Sequence, residues 1–251
     1  MNYIQANQIR KTILKMIFHS KSSHIGSALS IVDVLAVLYS SYLKEKDRII
    51  LSKGHAGSAL YATIAEAWYI DKDWLIENYC QNGSKFGGHV TYGSCPQIHA
   101  TAGSLWHGLP IGCWFAFWNR RRNVFIITGD GELNEGSNWE SAMFAYHHHL
   151  SNLVWIIDRN GQQSFGPTKE TIDIHNLTAI LNWFGWHVQE IDGNNRESIQ
   201  NAFENLSTKF PNVIIADTIK WKGVSFMEGK TEFHYKPPTE KQLEQALSEL
   251  N

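Results

Sequence analysis

Asp130 lies between two glycines in Gly129-Asp130-Gly131, and Asn160 closes Asp158-Arg159-Asn160 at the end of a later apolar run. Carried on neighbouring strand ends, the pair supplies one carboxylate and one neutral amide oxygen. That set suits a hard cation such as Mg²⁺, which also grips phosphates. A diphosphate brings several negative charges, so a neutral second ligand balances the cation better than a cage of carboxylates. Gly129 and Gly131 lack a Cβ, which permits a sharp turn and a close approach to an anion. The backbone carbonyl of Gln162 is a candidate third ligand. Alone, Gly-Asp-Gly is also an ordinary turn.

The surrounding elements must bring these residues together. The run 124–128 reads as a buried strand, 137–149 as a helix and 153–157 as a second strand. A right-handed crossover makes the two strands parallel neighbours, and open parallel sheets bind ligands at their carboxyl ends. Further strands are expected at 48–51, 187–191 and 213–217. Helices are expected at 3–18, 29–43, 56–69, 73–79, 105–117, 174–183, 196–208 and 239–249. Strands alternating with helices imply an α/β fold of three layers, α/β/α, around a mainly parallel sheet. With 251 residues, 43% of them hydrophobic, and no internal repeat or long linker, one domain over 1–251 is expected.

Several ordered segments resemble those of thiamine-diphosphate enzymes, and among these the amino-terminal part of transketolase. They are Ser23-His24-Ile25-Gly26-Ser27, Leu51-Ser52-Lys53-Gly54-His55-Ala56, Gly87-Gly88-His89 and Thr101-Ala102-Gly103-Ser104-Leu105. The Gly129 to Asn160 element, Phe184-Gly185-Trp186, Lys222 to Glu228 and Phe233-His234 continue the series. The resemblance implies Mg²⁺ held by Asp130, Asn160 and the Gln162 carbonyl, and a diphosphate touched by Gly129, Gly131 and His55. Gly103, Ser104 and Leu105 would line the cofactor's rings. His24, His89 and His234 would face substrate hydroxyls and the reacting carbon. Glu135 and Glu140 match acidic residues at a subunit interface.

Other readings are weaker. His147-His148-His149 closes a predicted helix, where histidines favour the negative end of the dipole. His107 suits either the site or a helix start. Glu132 suits either support of the site or an exposed first helical turn, and Lys53 and Lys222 suit attraction of phosphate, with solvated lysine the default reading. A formal charge of −2 argues against nucleic-acid binding, and Arg120-Arg121-Arg122 reads as a solvated turn. Three cysteines, Cys80, Cys95 and Cys113, without Cys-x-x-Cys spacing suggest neither disulfides nor zinc and fit a reducing cytoplasm. The amino terminus reads as an amphipathic helix rather than a signal peptide, and no stretch is apolar for long enough to span a bilayer.

The family resemblance thus implies the thiamine-diphosphate subunit of a split transketolase, moving a two-carbon ketol unit between sugar phosphates. The activating glutamate and most sugar-phosphate contacts would come from a separate carboxyl-terminal, pyrimidine-binding subunit in a heterotetramer. Alternatives are a ketoacid dehydrogenase type, a specialised ketose-phosphate enzyme, or a cofactor-free scaffold. Trp68, Trp106, Trp114, Trp118 and Trp221 depart from the pattern, standing where it has glycine. One explanation is a codon read as glycine in the host and as tryptophan elsewhere. The other is a repacked site in which Trp106 narrows the cofactor pocket.

Overall fold

Four short, largely apolar runs and one mixed edge segment become the strands of one parallel sheet in the computed structural model, which describes residues 3–164 and 166–251. They are β1 (Arg48–Leu51), β2 (Val124–Gly129), β3 (Leu153–Arg159), β4 (His187–Asp192) and β5 (Asn212–Asp217), in the spatial order β1-β2-β3-β5-β4. The expected three-layer α/β/α arrangement is what the chain adopts. Both faces are covered, so the inner strands are apolar throughout rather than alternating. Phe125, Ile127, Val154 and Ile156 join one core, while Val124, Ile126, Leu153 and Trp155 join the other.

The first face carries α1 (Ala6–Ser20), α2 (Ile25–Ser30), α3 (Val32–Val37), α4 (Gly57–Glu66) and α5 (Lys72–Asn78). The opposite face carries α6 (Gly108–Trp118) and α7 (Gly136–His147). After the short α8 (Thr168–Thr171), α9 (Leu177–Trp183) joins this second face, and α10 (Arg196–Glu204) and α11 (Glu240–Glu249) return to the first. Among the described residues no helix is long and apolar enough to cross a membrane.

Two local departures bear on the site. The helix expected over 29–43 is broken into α2, α3 and a wider turn at Leu38–Tyr42. The break follows Ser30, whose hydroxyl donates to Asp158 at 2.6 Å instead of staying with its own helix alone. The close-packed side of α6 is the one bearing Gly108 and Gly112. A Cβ on them would come within 2.3 Å of Ser52 and 2.4 Å of Ile126, respectively. Trp114 and Trp118 lie exposed on the outside with their rings stacked 5.7 Å apart.

Candidate active site

Register decides where the chemistry falls. Gly129, the last residue of β2, pairs with Asp158 near the end of β3, so Asp130 and Asn160 leave adjacent strand ends side by side. The Asp130 carboxylate is buried and ties the two loops together. It accepts from the Gly161 N–H at 2.7 Å, the Thr168 hydroxyl at 3.2 Å and the Gly131 N–H at 2.9 Å. Burial, and then the neighbouring charge of Asp158, push its carboxyl up to about 6. Asn160 is oriented by both ends of its amide: Nδ2 donates to Asp158 at 3.3 Å, and Oδ1 accepts from the Gln162 N–H at 3.1 Å.

Beneath this pair lies an ion pair between Lys53 and Asp158, only 1% and 0% exposed. Asp158 also accepts from the hydroxyls of Ser30 and Thr218. The solvated reading of Lys53 is therefore corrected: its ammonium is sealed against a buried carboxylate that holds Asn160. Lys222 is half-buried.

Glu132 is resolved in the same way. It is 1% exposed and accepts from the Ser52 hydroxyl at 2.6 Å, the Trp106 N–H at 2.8 Å and the Gly129 N–H at 2.8 Å. The exposed first-turn alternative does not hold. One carboxylate pins the 103–107 loop to the turn that carries Asp130.

Four histidines converge on the opposite wall. The His24 ring centre lies 5.6 Å from His55, 6.0 Å from His89 and 5.2 Å from His234. His24 sits at φ 68°, a left-handed conformation uncommon outside glycine, held by its N–H donating to the His234 carbonyl at 2.9 Å. Burial, followed by neighbouring cationic or imidazole groups, lowers His24, takes His55 well below its ordinary value and lowers His234 to about 4. These three rings are neutral near physiological pH, so each offers a nitrogen that accepts a hydrogen bond or a proton.

Both walls open on one cleft of about 500 Å³. It gathers His24, His55, His89 and His234 with Gly103, Leu105, Gly129, Asp130, Gly131, Asn160 and Gln162, and also Glu132 and Glu135. Ser104 and Trp106 are on the same loop but outside the lining, and the Trp106 ring lies edge-on to His107, with ring centres 5.5 Å apart. Glu140 is exposed on α7. Sequence reasoning missed Lys220 and Tyr235, which line the cleft. Lys220 donates to the carbonyls of Gln162 and Gln163, both at 3.0 Å, and burial, aided by Lys53, lowers it to about 8. The ring centre of Tyr235 lies 4.5 Å from that of His234. Its only signal was adjacency to His234, and that of Lys220 was its place just after β5.

The Asp130 carboxylate, the Asn160 amide oxygen and the Gln162 carbonyl are oxygen donors of the kind a hard cation takes, and among the described residues no cluster of three or more His, Cys, Asp or Glu is placed to hold a metal. The Lys220 ammonium already rests on the Gln162 carbonyl, one of those oxygens.

The fold is that of the open parallel α/β sheets, whose ligands bind outside the carboxyl ends of the strands, where this polar cleft lies. The sequence pattern of the family described as "Transketolase, thiamine diphosphate binding domain" matches residues 2–250, and the chain belongs to that family. It is 37% identical to a subunit of the apulose-4-phosphate transketolase of Actinobacillus succinogenes, over 98% of this chain and 94% of that protein. It is equally 37% identical to the 6-deoxy-6-sulfo-D-fructose transketolase subunit SqwG of a Clostridium species, again over 98% and 94%. The transketolase structure from Campylobacter jejuni superposes with a TM-score of 0.91 at 28% identity, covering 100% of this chain and 43% of that one. The chain thus spans less than half of that last protein.

Proposed function

We propose that this chain is the diphosphate- and Mg²⁺-binding subunit of a split, cytoplasmic transketolase that transfers a two-carbon ketol unit from a ketose phosphate to an aldose phosphate. The observation that carries the reading is the union, in one cleft, of the Asp130–Asn160–Gln162 oxygens with the four histidines. Asp130, Asn160 and the Gln162 carbonyl would hold Mg²⁺, Gly129, Gly131 and His55 would meet the diphosphate, and Gly103 to Leu105 would flank the rings. When bound, thiamine diphosphate supplies a nucleophilic carbon and an electron sink for carbon–carbon cleavage. His24, His89 and His234 orient sugar hydroxyls. The neutral rings of His24 and His234 take a proton from a hydroxyl and return it as the new bond forms.

A separate carboxyl-terminal subunit would complete the site in a heterotetramer. Near end-to-end similarity to two proteins named as transketolase subunits supports this. So do the exposed Phe117, Met143, Phe144 and Tyr146, which give α6 and α7 an apolar outer face beside Glu140. The same two relatives favour a second, narrower reading, a specialised ketose as donor, one being named for a ketose phosphate and the other for a sulfonated ketose.

The test pairs this chain with a candidate partner. Calorimetry with thiamine diphosphate and Mg²⁺ distinguishes an enzyme from a scaffold, and ketose phosphates set against pyruvate distinguish ketol transfer from ketoacid chemistry. Binding and ketol transfer only with the partner are expected. Full transfer by this chain alone would overturn the split-enzyme reading, and activity confined to pyruvate would overturn the ketol reading.

A further inference from the structure

Six of the ten tryptophans form two contrasting sets of three. In Trp139, Trp155 and Trp186 the indole N–H donates to the Leu133 carbonyl at 2.9 Å, the Thr128 hydroxyl at 2.8 Å and the Ala142 carbonyl at 3.0 Å. These side chains are placed as tryptophans should be, apolar body inward and polar tip satisfied. Trp68, Trp106 and Trp221 instead adopt φ of 66°, 75° and 64°. Left-handed backbone is uncommon in any residue with a Cβ, and for a bulky one it is an outlier.

Local structure at the three positions asks for glycine. Helix α4 ends in two reverse hydrogen bonds, Trp68 N–H to the Ala65 carbonyl at 2.9 Å and Tyr69 N–H to the Ile64 carbonyl at 3.1 Å. That stop places its left-handed residue at 68, where glycine is preferred. The indole at 68 is 92% exposed, so no packing offsets the backbone strain. Trp221 is fully buried, yet its Nε1 has no partner among the described residues. Its ring presses on Gly26 so closely that a Cβ there would stand 2.4 Å away. At 106 only the backbone has a place in the site, donating to Glu132 at 2.8 Å.

We infer that positions 68, 106 and 221 are glycine in the protein as its native host makes it, through a codon that this host reads as glycine and other genetic codes read as tryptophan. The same codon puts glycine at 114 and 118, the exposed stacked pair on α6. The loop bordering the cleft is then Gly103-Ser-Leu-Gly-His-Gly108, with no indole beside His107. Left-handed backbone carries the assignment at 68, 106 and 221, with the unpartnered indole of Trp221 beside it, and 114 and 118 follow from sharing the same departure from the sequence pattern; the assignment stands or falls apart from the proposed reaction.

Peptide mass spectrometry of the protein isolated from its native host decides it. The expected result is glycine masses at 68, 106, 114, 118 and 221, with tryptophan masses at 139, 155 and 186. The gene should carry one codon at the first five positions and a different one at the last three. An indole mass at 68, 106 or 221, or a codon shared by the two groups, would overturn it. An independent measurement uses the recombinant chain: Trp68→Gly should raise the folding equilibrium constant roughly three- to tenfold, the strain of left-handed backbone less the flexibility glycine adds to the unfolded chain. A fall in stability on that substitution would count against the inference as well.

Discussion

Lys53→Met separates the buried ion pair from everything built on it. Lys53 and Asp158 are 1% and 0% exposed, so the substitution leaves a carboxylate in the interior without a cation. Breaking a buried pair costs about 3–5 kcal/mol. Here Asp158 keeps donors from Ser30, Thr218 and Asn160, which places the loss at the lower end, about 3 kcal/mol. For a domain of this size the melting temperature should fall by about 6–12 °C. Asp158→Asn in the same chain removes the stranded charge, so the double variant should recover half or more of the loss. Urea denaturation of the single and double variants reads both effects. If the single variant is as stable as the parent, or the double variant no better than the single, the pair does not hold this corner of the fold and the reasoning fails.

Three further outcomes follow from the same geometry. Because the folded Asp130 carboxyl lies at about 6 against 3.8 when free, the folded chain keeps a proton that the unfolded chain has lost. Stability without metal should therefore decline as pH rises between those values, while Mg²⁺ affinity climbs with pH and levels off above the folded value; calorimetry across this range checks it, and Asp130→Asn should abolish both trends. In the partnered enzyme, His234→Gln should lower kcat by about 10²-fold or more while leaving thiamine diphosphate affinity nearly unchanged, and an equal loss of affinity would make His234 a cofactor-holding residue instead. Glu132→Ala leaves the Gly129 and Trp106 N–H groups buried and unpaired, which should cost about 2–4 kcal/mol by chemical denaturation and weaken cofactor binding through the loosened loop.

Four of the strands were legible as short runs dominated by buried apolar residues, whereas the edge strand β4 (His187–Asp192) is mixed and only partly buried and was read from Val188 and Ile191 between turn signals. Gly129-Asp130-Gly131 was ambiguous alone, and its place became legible only because it ends one apolar run while Asn160 follows a second, which the register sets side by side. What escaped was non-local. Lys53 meets a carboxylate 105 positions away, and Lys220 reaches a carbonyl 58 positions back, so neither partner lies within any helical or strand period. The single helix expected over 29–43 failed for a related reason: Ser30 bonds to Asp158, 128 residues distant, and no local propensity records that bond.

A signal for the hidden pair was nevertheless present. Asp158 ends the run Leu153-Val-Trp-Ile-Ile, all of it buried, and a carboxylate delivered into such surroundings requires a cation or several donors. Lys53 follows the buried strand β1, whose Leu51 pairs with Ile127 of β2, while Gly129 of β2 pairs with Asp158 of β3. Strand order therefore brings the ends of β1 and β3 to either side of the end of β2, and a lysine is long enough to reach across one strand. The residue between them in the sheet is the turn that carries Asp130. A charge pair that spans this turn fixes Asn160 on one side, and the field of its lysine opposes the rise that burial and Asp158 impose on Asp130 on the other. The group that reads as a solvated lysine in the sequence is thus the counter-charge that lets two carboxylates share one sheet edge.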